Sequence, residues 1–406
     1  MKRVLLSVAL IAGGLTLSFA QQKNVKEAKR IANGTNPSFS QAEQLINEAL
    51  TNPETMNDHE TWDIAGLVQK RFIEEEQKKQ YLKQAYDTVA VYQSIAKLVD
   101  FYAKCDELAQ IPNEKGKVKN KFRKSNSAAV ALFRPELING GVYYFNVGKD
   151  KDAFEYFSKY VTSAQLPLFD GQDMIASDPN FKTIAYYATL AAMRLQDYNS
   201  IVKMAPLAID TTEEGTQSLK MLADAYKNLS QDEDFLATLK SGIEKLPEDP
   251  YFFGNIVDYY VQKENLPAAL ELAKEMVVKY PANGYYAYVK GFIHHHMKDY
   301  DAAAESFKKA IEIDPDNAEA YSNLGLVYTI KAQEILDSIP VDLDINDAEY
   351  TTKVDAVKKL YNEALPFYEK ARELKPDNKD LWLQGLYLIY YKLDMEQIDE
   401  IEALLN

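Results

Sequence analysis

Pro247, Pro281 and Pro315 stand 34 residues apart. No other feature of the chain constrains its fold as tightly, because a fixed period of this length means one supersecondary unit used again and again. Between the last two prolines the pattern is dense. Gly291 is followed by Ala303, Phe307, Ala310 and Pro315, at steps of twelve, four, three and five. Steps of three and four place side chains on one face of a helix. Gly291 and Ala303 are small enough to let two helices approach closely, and Phe307 with Ala310 fills the seam between them. Pro315 cannot extend a helix, and Asp314-Pro315-Asp316 is turn chemistry. One pair of helices cannot bury its apolar face alone, so the unit predicts neighbours stacked upon it.

The next segment opens Ala318-Glu319-Ala320-Tyr321 and continues with Leu324, Gly325 and Tyr328 at helical spacing. An aromatic, a Leu-Gly pair and a tyrosine on one helix, then Ala, Phe, Ala and Pro on the next, resembles the tetratricopeptide repeat. The resemblance implies an all-α fold, a right-handed superhelical solenoid of antiparallel helix pairs, with a concave groove lined by the first helix of each unit. It also implies an adaptor that holds peptides or other proteins.

In chain order, residues 24–57 read as a degraded first unit, with Ala42, Ile46 and Ala49 at the second-helix spacing and Pro53 after them. Trp62 and Gly66 open the next. Residues 67–110 leave the 34-residue period and read as a longer helical stretch whose bulk comes from Tyr81, Tyr86, Tyr92, Leu98 and Tyr102. Residues 113–125 invert the local charge: Lys115, Lys117, Lys119, Lys121, Arg123 and Lys124 face one acid, Glu114. This basic patch is open to three readings: a solvated connector, a docking patch for an anionic partner, or a contact with the acidic body of the same chain. Units resume with Gly140, Gly141 and Tyr144, closed by Ala153, Phe157 and Tyr160. A loop is expected at 162–182, where Pro167, Gly171 and Pro179 fall. Tyr328 should be followed nine residues later by an alanine, but Ala364 comes 36 later, an insertion of 27. The two flanking helices are expected to lengthen, with a loop around Ile339–Asp347. The expected organisation is a signal peptide at 1–20, an N-terminal helical region at 21–133, a repeat solenoid at 134–378 interrupted near 329–363, and capping helices at 379–406.

Composition bounds the chemistry. A 406-residue chain is long for one compact core, a limit that a solenoid avoids by growing in one dimension. The formal charge of −15 makes general nucleic-acid binding a poor expectation. The single cysteine, Cys105, excludes an internal disulfide and a thiolate-rich metal site. Residues 1–20 carry a charged start (Lys2-Arg3), a short apolar run (Val4 to Leu17) and Ser18-Phe19-Ala20 at the cut, the make-up of a secretory signal cleaved after Ala20. No other segment could span a membrane. The expectation is a periplasmic protein with no transmembrane segment after signal removal. With the early long helices and the basic GKVKNKFRK segment, the chain resembles exported tetratricopeptide proteins of Bacteroidetes-type bacteria, some of which act as scaffolds for envelope enzymes or assembly machines.

Catalytic and metal motifs fail on inspection. His294-His295-His296 point about 100° apart on a helix and cannot converge on one ion. His59-Glu60-Thr61-Trp62-Asp63 begins like a zinc-protease motif, but Asp63 stands where the second histidine is required. Asp342, Asp344 and Asn346 have the spacing of a calcium loop, yet Asp347 replaces the glycine and Lys353 the bidentate glutamate. There is no phosphate loop and no nucleophile elbow. The expectation is no enzyme, no metal and no cofactor. The groove is the better place for a site: Tyr285, Tyr288, Phe292 and His295 share one helix face, Tyr251 and Asp258 take equivalent positions one unit earlier, and Lys220, Asp224 and Lys227 come before those. Aromatic anchors with a few charges suit an extended peptide or a partner helix; the competing expectation is that these rings pack against the adjacent unit. The function expected is a non-catalytic protein-interaction scaffold of the cell envelope. A glycan- or peptidoglycan-binding module is the alternative, and an enzyme the weakest.

Overall fold

The computed structural model describes residues 22–112, 115–118 and 120–405. The expected signal at 1–20 lies outside them. Every regular element among the described residues is helical. The helices fall into two compact units, one ending at Phe235 and the other starting at Leu236.

The first unit contains α1 (22–32), α2 (Phe39–Thr51), α3 (His59–Tyr81), α4 (Thr88–Ala109), α5 (Arg123–Phe133), α6 (Glu136–Asn146), α7 (Asp150–Ser163), α8 (Phe181–Arg194), α9 (Tyr198–Ala208) and α10 (Glu213–Asn228). Each packs mainly on its chain neighbours. The stretch 67–110 is two helices rather than one long element. It breaks after Tyr81, where Lys83 takes a left-handed conformation (φ 56°) and Asp87 caps α4 by accepting from the Ala90 N–H at 2.9 Å. The break corrects the expected packing: Tyr81 is 87% exposed and Tyr86 also lies at the surface, while Leu98 and Tyr102 are buried.

The segment between α7 and α8 holds a 3₁₀ turn, Pro167–Phe169, whose Leu168 and Phe169 are buried. A charged cluster pins the segment. Buried Arg134 donates from Nε to the Tyr160 carbonyl and Ser163 Oγ at 3.1 Å each. It pairs with Asp178 at 2.8 Å, and its guanidinium lies 3.7 Å from the Tyr160 ring centre. Tyr160 Oη donates to Asp178 at 2.7 Å. Burial and that carboxylate together push the phenol up to about 12. Every member has a partner, which a buried ion pair requires.

The second unit holds most of α11 (Asp232–Lys245), then α12 (Pro250–Gln262), α13 (Leu266–Lys279), α14 (Gly284–His296), α15 (Tyr300–Ile313), α16 (Ala318–Asp337), α17 (Ala348–Leu374), α18 (Leu383–Leu393) and α19 (Ile398–Leu405). From α12 to α17 each helix begins at an Asp or Asn whose side chain accepts a backbone N–H of the first turn: Asp249, Asn265, Asn283, Asp299, Asn317 and Asp347. The turns inside the pairs repeat as well. Gln196, Ser230, Glu264 and Lys298 all have φ between 55° and 61° and stand 34 residues apart. Each ends a first helix in the left-handed region that glycine usually fills.

The seam between paired helices is a small residue against a ring. A Cβ on Gly291 would fall 2.7 Å from Phe307, and Tyr368 lies against both Gly325 and Gly385, at 2.7 and 2.3 Å by the same measure. Only the absence of a side chain lets the rings in. The long pair α16 and α17 is joined by residues 338–347 and packs along its length through Ala332, Ile335 and Leu336 against Val357, Leu360 and Tyr361. Trp382 is buried at the far end and donates from Nε1 to the Lys375 carbonyl at 3.2 Å.

Phe307 is fully buried, so Phe307→Ala should cost about 3–5 kcal/mol and lower the thermal midpoint followed by circular dichroism. Val278 is 80% exposed, and Val278→Ala should stay within about 0.5 kcal/mol of the parent.

Candidate interaction surface

In the second unit the residues singled out by spacing lie on the first helices of consecutive pairs: Tyr251 and Asp258 on α12; Tyr285, Tyr288, Phe292 and His295 on α14. Asp258 is exposed and the other five are half-buried, so both expectations for the rings are partly met. Tyr285 packs edge-on against Phe253 of α12, with ring centres 6.1 Å apart at 81°. Tyr288 leans on Phe307 at 5.9 Å and receives a hydrogen bond of 3.4 Å from Asn323 Nδ2 of α16. Each ring thus touches a neighbouring helix and keeps part of its surface open. Burial, with Asp258 and Tyr288 nearby, pushes the Tyr285 phenol up to about 12. Burial and Glu319 raise Tyr288, against a smaller lowering by Asn323. Both phenols are neutral near pH 7. Leu326 of α16, 37% exposed, has no counterpart in the sequence reading.

His295 lies beside His296 and Tyr300, and burial holds its pKa below the usual value. His294 is buried against Asp299, with Nδ1 3.3 Å from the carboxylate; burial lowers its pKa despite that carboxylate. Among the described residues no cluster of His, Cys, Asp or Glu could hold a metal ion. The acids of the 338–347 segment serve the backbone: Asp344 accepts from Asn346 and Asp347 caps α17. At the same apex Val341 is fully exposed and Ile345 is 68% exposed.

In the first unit Lys220, Asp224 and Lys227 lie on α10. Lys220 is half-buried and the other two are exposed, and Lys227 Nζ sits 5.9 Å from the Phe235 ring centre. This unit also carries an aromatic face that the spacing argument passed over. Tyr143 of α6 meets Tyr92 of α4, Phe145 meets Tyr187 of α8, and Arg194 covers Phe145 at 3.9 Å. The adjacent pairs Tyr143-Tyr144 and Tyr186-Tyr187 were its sequence signal: one member of each enters the core and the other stays at the surface.

The basic segment divides. Lys119 lies outside the described residues. Lys115, Lys117, Lys121 and Lys124 are exposed, with Lys121 Nζ 4.8 Å from the Phe122 ring centre. Arg123 does not belong with them as a docking base. It forms a two-pronged pair with buried Asp106, at 2.8 and 2.7 Å, reaches Asp170 at 3.2 Å, and shares Asp106 with Asn120. Of the three readings, Arg123 follows the contact with the chain's own acids. Arg123→Ala strands a carboxylate that is 3% exposed, and should cost about 3 kcal/mol, the low end for a buried pair because the arginine is 26% exposed. Lys124→Ala should leave the denaturation midpoint unchanged.

A family model described as TPR repeat matches residues 291–329. No curated protein matches the sequence. Solved structures that resemble the chain include three all at low identity. The C-terminal part of a TPR repeat-containing protein from Cytophaga hutchinsonii is 15% identical, with 64% of this chain and 91% of that one covered and a TM-score of 0.39. A TPR repeats protein from Bacteroides fragilis is 16% identical, covering 64% and 98%, with a TM-score of 0.36. The MamA protein is 16% identical, covering 50% and 96%, with a TM-score of 0.32. The matched stretch runs from Gly291 through α15 to Thr329, across the seam where Gly291 meets Phe307 and the caps at Asp299 and Asn317; the chain is a tetratricopeptide repeat protein.

Proposed function

We propose that the chain is an exported, non-catalytic scaffold that seats an extended peptide or a partner helix on the first-helix face of its second unit. The observation that carries this reading is the state of three rings. Tyr285, Tyr288 and Phe292 are held firmly by α12, α15 and their own helix, yet each stays partly open. Rigid, half-buried aromatics cost little side-chain entropy on binding and dominate the energetics of interfaces. Leu326 continues the open apolar surface onto α16. A sugar would need an open ring face for stacking, whereas Tyr285 and Tyr288 spend much of theirs on Phe253 and Phe307, which favours a protein partner over a glycan.

A photo-crosslinking amino acid placed at Phe292 or at Leu326 should capture a discrete partner in cells. The same probe at Val278, on the second helix of its pair, should capture none. Equal capture at all three positions, or none at any, would overturn the assignment of this face.

Export is supported by the arrangement of residues 1–20, a basic start, a short apolar run and Ala20 at the cut. The described helices include none long and apolar enough to cross a membrane. Expression in a Gram-negative host should yield periplasmic protein whose intact mass begins at Gln21. Full-length cytoplasmic protein would refute export.

A further inference from the structure

We propose that the segment seated on the first-helix face of the second unit is cationic, an extended peptide in which lysine or arginine alternates with apolar side chains; this rests on the scaffold reading above. The first argument is the placement of charge. Residues 236–406 carry 31 acidic and 18 basic side chains, a net −13, whereas residues 1–235 carry 30 and 28, a net −2. Nearly all of the protein's charge therefore belongs to the unit that bears the open rings.

The second argument is local. The charged groups that act on the two tyrosines are carboxylates: Asp258 on Tyr285 and Glu319 on Tyr288. Asp258 is exposed. Glu319 is paired with Lys375 at 2.6 Å, and its side chain stays 37% exposed. Each carboxylate lies beside a neutral aromatic ring whose face attracts cations. Partial burial weakens solvent screening, so ring and carboxylate reinforce each other. Phe292 and Leu326, on adjoining first helices, offer apolar contact between these polar ends. An acidic segment would meet like charge at both ends and across the whole unit, a juxtaposition that interfaces use to exclude partners.

The test uses the full chain and fluorescein-labelled probe peptides followed by fluorescence polarisation. One probe alternates lysine with leucine and phenylalanine; two others replace every lysine with glutamate or with glutamine. The lysine probe should bind about ten-fold tighter than the glutamate probe or better, and should weaken between about 50 and 500 mM salt. Asp258→Lys should reduce its affinity by about five-fold or more, while Glu275→Lys, on exposed α13 surface, should not. Helical circular dichroism of both variants checks the fold. If the glutamate or glutamine probe binds as tightly as the lysine probe, the cationic assignment fails and the scaffold reading stands. If Glu275→Lys weakens binding as much as Asp258→Lys, the attraction is diffuse and the site assignment fails. If no probe binds, the segment crosslinked at Phe292 decides: an acidic or neutral segment overturns the inference, a basic one supports it. No crosslink at all overturns the scaffold reading itself.

Discussion

The structure depends on one contact made again and again, a ring set against a residue with almost no side chain. Gly291 admits Phe307, Gly141 admits Phe157, Gly66 admits Tyr102, and Tyr368 is gripped by two glycines on two helices. A glycine inside a helix costs about 1 kcal/mol relative to alanine. Here that cost is outweighed by the burial of an entire aromatic side chain, worth about 1.5–3 kcal/mol for its area alone. Because the seam fixes how closely two helices approach, it also fixes which of their faces remain for anything else.

That division explains the first-helix face of the second unit. On α14, Ala287, Gly291 and His294 turn into the packed interior, and Tyr285, Tyr288, Phe292 and His295 remain half-buried on the adjoining face. The rings there are anchored by their inner edges, so the surface they present is preorganised. The left-handed residues at 34-residue intervals add to this rigidity. They turn each first helix sharply into its partner without glycine, and the strain of about 1 kcal/mol at each is overcome by the packing on either side.

Charged residues were the hardest part of the chain to read. Arg123 stands in a run of lysines and looks like one more solvated base, but the fold brings it to Asp106. Arg134 stands alone in the sequence and organises the most deeply buried ion pair described in the first unit. Long-range pairs of this kind have no local signature: 44 positions separate Arg134 from Asp178. Tyr81 and Tyr86 failed in the opposite sense. They look like core by composition, yet the cap at Asp87 and the turn at Lys83 leave them at the surface.

What the sequence determined by itself was the unit. Its period, the small residues of the seam, the rings that fill it and the prolines that end it are all local, so they could be read from spacing. The length of α16 and α17 followed too, since an insertion between two helical patterns has little else to become. What only the tertiary structure decided was how much of each ring stays open, and which charges are free. Tyr285 and Tyr288 owe their partial burial to Phe253, Phe307 and Asn323 on three other helices, and Arg123 is removed from the basic patch by an acid on α4. Exposure and pairing depend on the neighbours that stacking supplies, and a sequence pattern carries the face of its own helix but not the surface packed against it.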